Sequence, residues 1–188
     1  TLLHLEQLGT GWWVGFSFAM SAQLYAMAQN GNAAYEKLRA FAKGFVADNG
    51  FHLNGDFKNY GFSQWHYRPF TLESLFGYCD ALQEMLLQEH QGYLDIFPAI
   101  PQEWKKFHFA FKNLRSYNGV LVSAKWQEGR VLNIELKASK ETEICLKNCF
   151  ENEYIYLKAK DGVHRLQAQK GYFYVKLEGG DKKLIYGI

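Results

Sequence analysis

Two rhythms divide the chain. Up to about residue 90, apolar residues recur at spacings of three and four, the period of a helix; beyond about residue 107 they tend to alternate, the period of a strand. Residues 12–29 (WWVGFSFAMSAQLYAMAQ) are apolar nearly all round, which predicts a helix covered on most of its faces. Thr10 is the expected N-cap. Gly31, in Asn30-Gly31-Asn32, is the expected left-handed C-cap. A second helix follows at once (NAAYEKLRAFAKGFV), with Tyr35, Leu38, Phe41, Ala42 and Phe45 in one stripe, so the pair should form an antiparallel hairpin. Residues 47–69 then break the pattern. They hold two Asn-Gly turn signals and many aromatic side chains, and a loop of that length is often functional. A third helix is predicted from about Thr71, its N-cap, to His90. Its apolar stripe is Leu72, Leu75, Phe76, Cys79, Leu82, Met85 and Leu86.

The second half predicts eight strands, at 107–115, 119–126, 130–138, 142–147, 153–159, 163–168, 171–177 and 183–187. Asn118-Gly119, Glu128-Gly129 and Asp161-Gly162 mark turns between them. Short strands at this spacing predict an antiparallel β-sandwich. Residues 91–106, with Pro98 and Pro101, read as the linker. Helices followed by strands mean two domains, 1–92 and 93–188. Three helices, one of them apolar on most faces, make a poor domain alone. Further helices upstream of Thr1, or self-association, are the expected cover for that face.

Composition narrows the function classes. The net charge of +2 lacks the basic excess of a general nucleic-acid binder. No apolar run is long enough to span a membrane as a helix. The three cysteines, Cys79, Cys145 and Cys149, fit neither a disulfide framework nor zinc-ligand spacing, so no metal and no cofactor is expected. Aromatic residues make up 17% of the chain, enough to fill a core and also to stack on sugar rings.

The run PFTLESLFGYCDALQEMLLQEH, from Pro69 to His90, resembles the late helices of glycoside hydrolase family 95, the inverting α-L-fucosidases and α-L-galactosidases. GYLDIFPAIPQEW is similar to that family's exit from its helical domain, and Thr10-Gly11-Trp12 to the start of an earlier helix. The likeness covers roughly residues 8–136. It implies the end of an α/α toroid followed by a β-sandwich, and an oligosaccharide or glycan as substrate. Inverting enzymes hold two acidic groups about 6.5–9.5 Å apart, one protonating the leaving group and one activating water. The resemblance puts the base on Glu73 and the general acid upstream of Thr1, so the isolated chain is expected to be inactive. It also implies a periplasmic or extracellular location.

Glu73 has a plainer reading, in which an acid in the first turn merely complements the helix dipole. Ser74-Leu75 replaces the family's Gly-Asn, and Leu75 cannot hydrogen-bond a sugar. Trp65, His66, Tyr67 and Arg68 lead into the third helix and, with Trp12, are candidate substrate contacts. Their alternative is to close the core at the loop base. Asn54 and Asp56 are expected in Asx turns rather than on substrate. His4 and Glu6 have no evident role, and the β-domain no evident site.

Overall fold

The computed structural model describes residues 2–187. Its packing falls into two units: one runs to Met85 and takes in Pro98–Gln102, and the other comprises Leu86–Phe97 and the chain from Glu103 onward. The packing boundary therefore lies before residue 92, and the 91–106 stretch is shared between the units rather than being a free linker. Phe97 is one reason. It is buried and meets Phe109, Phe111 and Trp126 edge-on at 5.2–5.7 Å, tying its segment to the β unit. No helix is long and apolar enough to cross a membrane among the described residues.

The helical unit has four helices, not three: α1 (Leu2–Leu8), α2 (Gly15–Met27), α3 (Gly31–Gly44) and α4 (Glu73–Leu86). Glu6 on α1 accepts a hydrogen bond from Tyr25 Oη (2.7 Å) and pairs with the buried Lys37 (3.0 Å). Those bonds hold its carboxyl below the ordinary carboxylate range, while burial, with the Glu6 bond second, pushes the Tyr25 hydroxyl up to about 12. Several helix termini depart from expectation, and α4 ends at Leu86 rather than His90. α2 starts at Gly15, and Thr10 instead accepts the Trp13 N–H in a preceding turn. Gln29 takes the left-handed conformation between α2 and α3. Gly31 opens α3 because its backbone lies against Ala99, where a Cβ would come within 2.2 Å of the carbonyl oxygen.

The apolar faces also sort differently. Phe18, Ala19, Phe41 and Phe45 are buried and pack with Trp13, and Leu38 is buried as its spacing predicts. On α4, however, Ser74, Ala81 and Met85 are buried, while Phe76, and Leu72 just before the helix, are 67% and 49% exposed. The small side of α4 faces inward, where a Cβ on Gly77 would lie 3.3 Å from that of Ala19. Phe16 and Met20 on α2 are exposed as well. α2 is covered on most of its faces, as expected, and Phe16, Met20 and Met27 mark the part of it that stays open.

In the β unit, a short hairpin pairs β1 (Leu87–Gln88) with β2 (Asp95–Ile96). The main sheet has six antiparallel strands in the order β3-β4-β5-β10-β7-β8. These are β3 (Phe109–Arg115), β4 (Leu121–Gln127), β5 (Arg130–Lys137), β7 (Tyr154–Ala159), β8 (Gly162–Gln167) and β10 (Lys182–Tyr186). A second sheet holds only β6 (Thr142–Lys147) and β9 (Tyr172–Leu177). The two sheets are unequal, so the described architecture is mostly antiparallel β, divided between a six-stranded and a two-stranded sheet. Alternation sets the buried faces: Val122, Ala124, Ile134, Leu136, Ile155, Leu157 and Ile185 on the large sheet, and Ile144, Leu146, Phe173, Val175 and Leu177 on the small one.

Candidate functional site

The loop between α3 and α4 gathers the starts of two helices. It folds back on itself as an extended pair. Asn54 N–H donates to Pro69 O (3.0 Å), Gly55 N–H to Tyr67 O (3.1 Å) and Asp56 N–H to Trp65 O (2.7 Å). Gly55 must lack a Cβ here, since one would lie 2.4 Å from Tyr67 O. Asp56 is fully buried, and its carboxylate accepts from the N–H groups of Tyr60 (3.1 Å) and Phe62 (2.9 Å). It therefore anchors the loop tip from inside. Asn54, by contrast, donates its amide to Tyr67 Oη at 3.1 Å.

Extended backbone alternates its side chains, and that separates the four candidates at 65–68. Trp65 and Tyr67 lie edge to face at 5.7 Å, and Trp65 meets Trp12 the same way at 5.6 Å. All three are exposed, Trp12 by 70%, so they form a row of rings open to solvent. The other two turn to the opposite partners: His66 Nδ1 lies 2.9 Å from Asp56 O, and the Arg68 guanidinium lies over Phe57 at 5.5 Å. The structure thus brings together Trp12, Trp65 and Tyr67, and puts His66 and Arg68 with the loop tip.

Glu73 is the first residue of α4 and is exposed. It stands at the end of the helix where the first-turn N–H groups lack intrahelical partners. Thr71 does not cap the helix. Its hydroxyl lies 2.7 Å from His52 Nδ1, and its carbonyl 3.2 Å from the same atom. His52 is a residue that the sequence pattern gives no reason to choose. It is fully buried, stacked parallel on Phe41 at 5.1 Å, and its Nε2 has no hydrogen-bond partner. With nothing to receive a proton from Nε2, the ring's proton belongs on Nδ1, donated to Thr71. Burial pushes the His52 pKa below its ordinary value, while the Thr71 bond and the Glu73 charge pull it back up. The ring also abuts Gly15, whose N–H donates to Asn54 O (3.0 Å). Leu75 packs against the Trp13–Phe18–Phe45 core, as an apolar residue there must.

Other acids of this unit are engaged: Glu6 with Tyr25 and Lys37, Asp56 with the loop amides, and Asp80 with Gln23. No group of three or more metal-ligating side chains occurs among the described residues. What the arrangement offers is an exposed carboxylate at a helix tip, in a turn whose Thr71 is bonded to a buried histidine, together with an open aromatic row in the same loop frame.

Comparison with known proteins agrees with the opening expectation. Residues 88–183 match the family model for the C-terminal domain of glycoside hydrolase family 95. Alpha-L-fucosidase 2 of Arabidopsis thaliana is 29% identical over 136 residues, which is 72% of this chain and 15% of that protein. The chain therefore spans a small part of that relative's length. Among solved structures, a family 39 glycoside hydrolase from Bacteroides cellulosilyticus WH2 overlays with a TM-score of 0.33, at 19% identity, over 41% of this chain and 16% of that one. A GH127 β-L-arabinofuranosidase from Geobacillus stearothermophilus T6 overlays with a TM-score of 0.35, at 11% identity, over 91% of this chain and 30% of that one. Both overlays are too loose to establish a shared fold.

Proposed function

Because the chain belongs to glycoside hydrolase family 95, we propose that it forms the late part of a glycosidase cleaving α-linked fucose or galactose-type sugars with inversion. Glu73 is the base in this reading. Its carboxylate removes a proton from the water that attacks the anomeric carbon, and a general acid outside this chain protonates the leaving oxygen. An ionised carboxylate is what a base needs to take that proton. Trp12, Trp65 and Tyr67 supply ring faces on which a sugar's C–H side can stack. His66 and Arg68 bound the loop beside them. A periplasmic or extracellular location is part of the same reading.

One observation carries the proposal. The starts of α2 and α4 are pinned to a single loop through His52, Gly15 and Thr71, and the exposed acid is on that frame. The test is Glu73→Gln in the complete enzyme. Turnover should fall by about 10²–10⁴, the usual contribution of a general base, with the melting temperature nearly unchanged. Unaltered turnover sinks the assignment. The second reading, a non-catalytic carbohydrate-binding remnant, draws on Leu75, which sits in the core where the family carries a polar residue. Sugar binding without turnover in the complete protein favours that one.

A further inference from the structure

The β unit has a cavity of its own. Three neighbouring strands, β5, β10 and β7, end together: Tyr186 of β10 pairs with Asn133 on one side and Tyr156 on the other. Beyond that line a cavity of about 250 Å³ opens, lined by Arg130 and Leu132 of β5, Gly187, and Phe150, Glu151 and Asn152 of the β6–β7 loop. That is below the ~300–1,000 Å³ of pockets for drug-sized ligands, so it admits about one small ring.

The loop is built before any ligand arrives. Asn148 holds it at both ends, its Oδ1 accepting from Phe150 N–H (2.9 Å) and its Nδ2 donating to Asn152 O (3.0 Å). Further along, Glu153 O accepts from Ala168 N–H at 2.7 Å. Phe150 lies so close over Gly187 that a Cβ there would meet its ring at 2.9 Å. A preorganised loop lowers the entropic penalty of binding.

The lining chemistry selects among ligands. Phe150, Val131 and Leu132 give an apolar wall. Arg130 brings N–H donors, and Glu151 brings acceptor oxygens. An anion would find the guanidinium but also the carboxylate, and a purely apolar ligand would use neither. A neutral ring with hydroxyls on its rim and C–H bonds on its face suits both parts. We propose that this cavity binds a single neutral sugar unit, as a glycan-holding site separate from the Glu73 frame. The choice of a sugar rests on the glycosidase reading, whereas the cavity and its charge pattern do not.

The test uses the isotope-labelled 188-residue chain, titrated by NMR with methyl α-L-fucopyranoside, D-galactose and, separately, inorganic phosphate. Amide shifts at Phe150, Asn152 and Gly187 should saturate with one of the sugars at a Kd of about 1–10 mM, typical of a one-ring ligand with few contacts. Arg130→Met and Glu151→Ala should each weaken binding about tenfold; both side chains are exposed, so the fold should survive, which the spectra of the variants check. Glu73→Gln should leave this Kd unchanged. No shift of these amides with the fucoside or with galactose, shifts confined to Gly11, Trp65 and Tyr67, or tighter saturation by phosphate would overturn the proposal. Turnover of the Glu73→Gln enzyme tests the glycosidase reading separately, so either can fail while the other stands.

Discussion

Gly15→Ala puts the whole loop frame under test with one methyl group. An ideal Cβ on Gly15 would lie 1.9 Å from His52 Nε2, 2.8 Å from Cδ2 and 3.0 Å from Cε1. The ring has nowhere to retreat. It is stacked on Phe41 at 5.1 Å and bonded to Thr71 at 2.7 Å. Overpacking of this kind costs about 1–3 kcal/mol, and release of the Thr71 bond adds roughly 1 kcal/mol. Alanine's better helix propensity returns at most about 1 kcal/mol, since Gly15 is a terminal position. The net loss is about 1–3 kcal/mol. For a unit of this size that lowers the melting temperature by roughly 4–8 °C per kcal/mol. Urea unfolding followed by tryptophan fluorescence measures it, and a double-mutant cycle with His52→Ala isolates the contact. The coupling should reach about 1 kcal/mol or more, because the small side chain vacates the space the methyl needs. A Gly15→Ala protein as stable as the parent, or equally damaged with and without the His52 ring, refutes the argument.

His52 also predicts a pH dependence. Its folded pKa is depressed by burial, so between that value and the unfolded value of about 6.5 the unfolded chain binds the extra proton. The contribution is fully present above about pH 6.5 and is lost as pH falls through that window. Melts of the parent between pH 7.5 and 5 should decline more steeply than those of His52→Asn; equal slopes would exclude the ring as the source. Asp56→Ala strips the acceptors from two loop amides and should cost about 2–4 kcal/mol, with weakened hydrogen-exchange protection at Tyr60 and Phe62; unchanged protection would mean the loop holds without the carboxylate. Leu75→Asn, which restores a polar residue of the resembled pattern, should cost about 1–3 kcal/mol because it faces the Trp13–Phe18 core; a neutral effect in urea unfolding would contradict that packing.

The strands were the most legible part of the chain, because alternation and the Xaa-Gly turns report local geometry directly. Gly119, Gly129 and Gly162 all have positive φ, as turn glycines do. Helix termini were less so. Gly15 and Gly31 look like breakers or caps, yet each is glycine because another part of the fold lies against it, at His52 and at Ala99. Helical periodicity located the apolar face of α4 but could not say which side would be covered; small residues let α4 approach α2 and left Phe76 outside. At the site, the aromatic density of residues 60–70 did point to the ring row. His52 could not be found that way, for a lone histidine between Phe51 and Leu53 carries no periodic signal. The cavity beside Arg130 was equally hidden, since its parts come from three separate stretches of chain.

The two readings of Glu73 make different demands on its surroundings. An acid that only complements a helix dipole needs proximity to the first-turn amides and nothing more; it tolerates a loose turn, and its effect of about 0.3–1 kcal/mol is screened by salt. A base must hold its carboxylate within about 0.5 Å of a productive position, which requires a rigid support behind it. Here the turn preceding Glu73 is fastened to a buried ring, and the fastening has a cost: His52 keeps Nε2 without a partner, and Gly15 gives up a side chain. Local rules broken without evident gain in packing are what functional sites commonly contain. The support therefore favours the base, and it makes the distinction measurable. Loosening the turn through His52→Asn should lower turnover of the complete enzyme more than it lowers affinity for substrate, whereas a dipole partner would leave turnover alone.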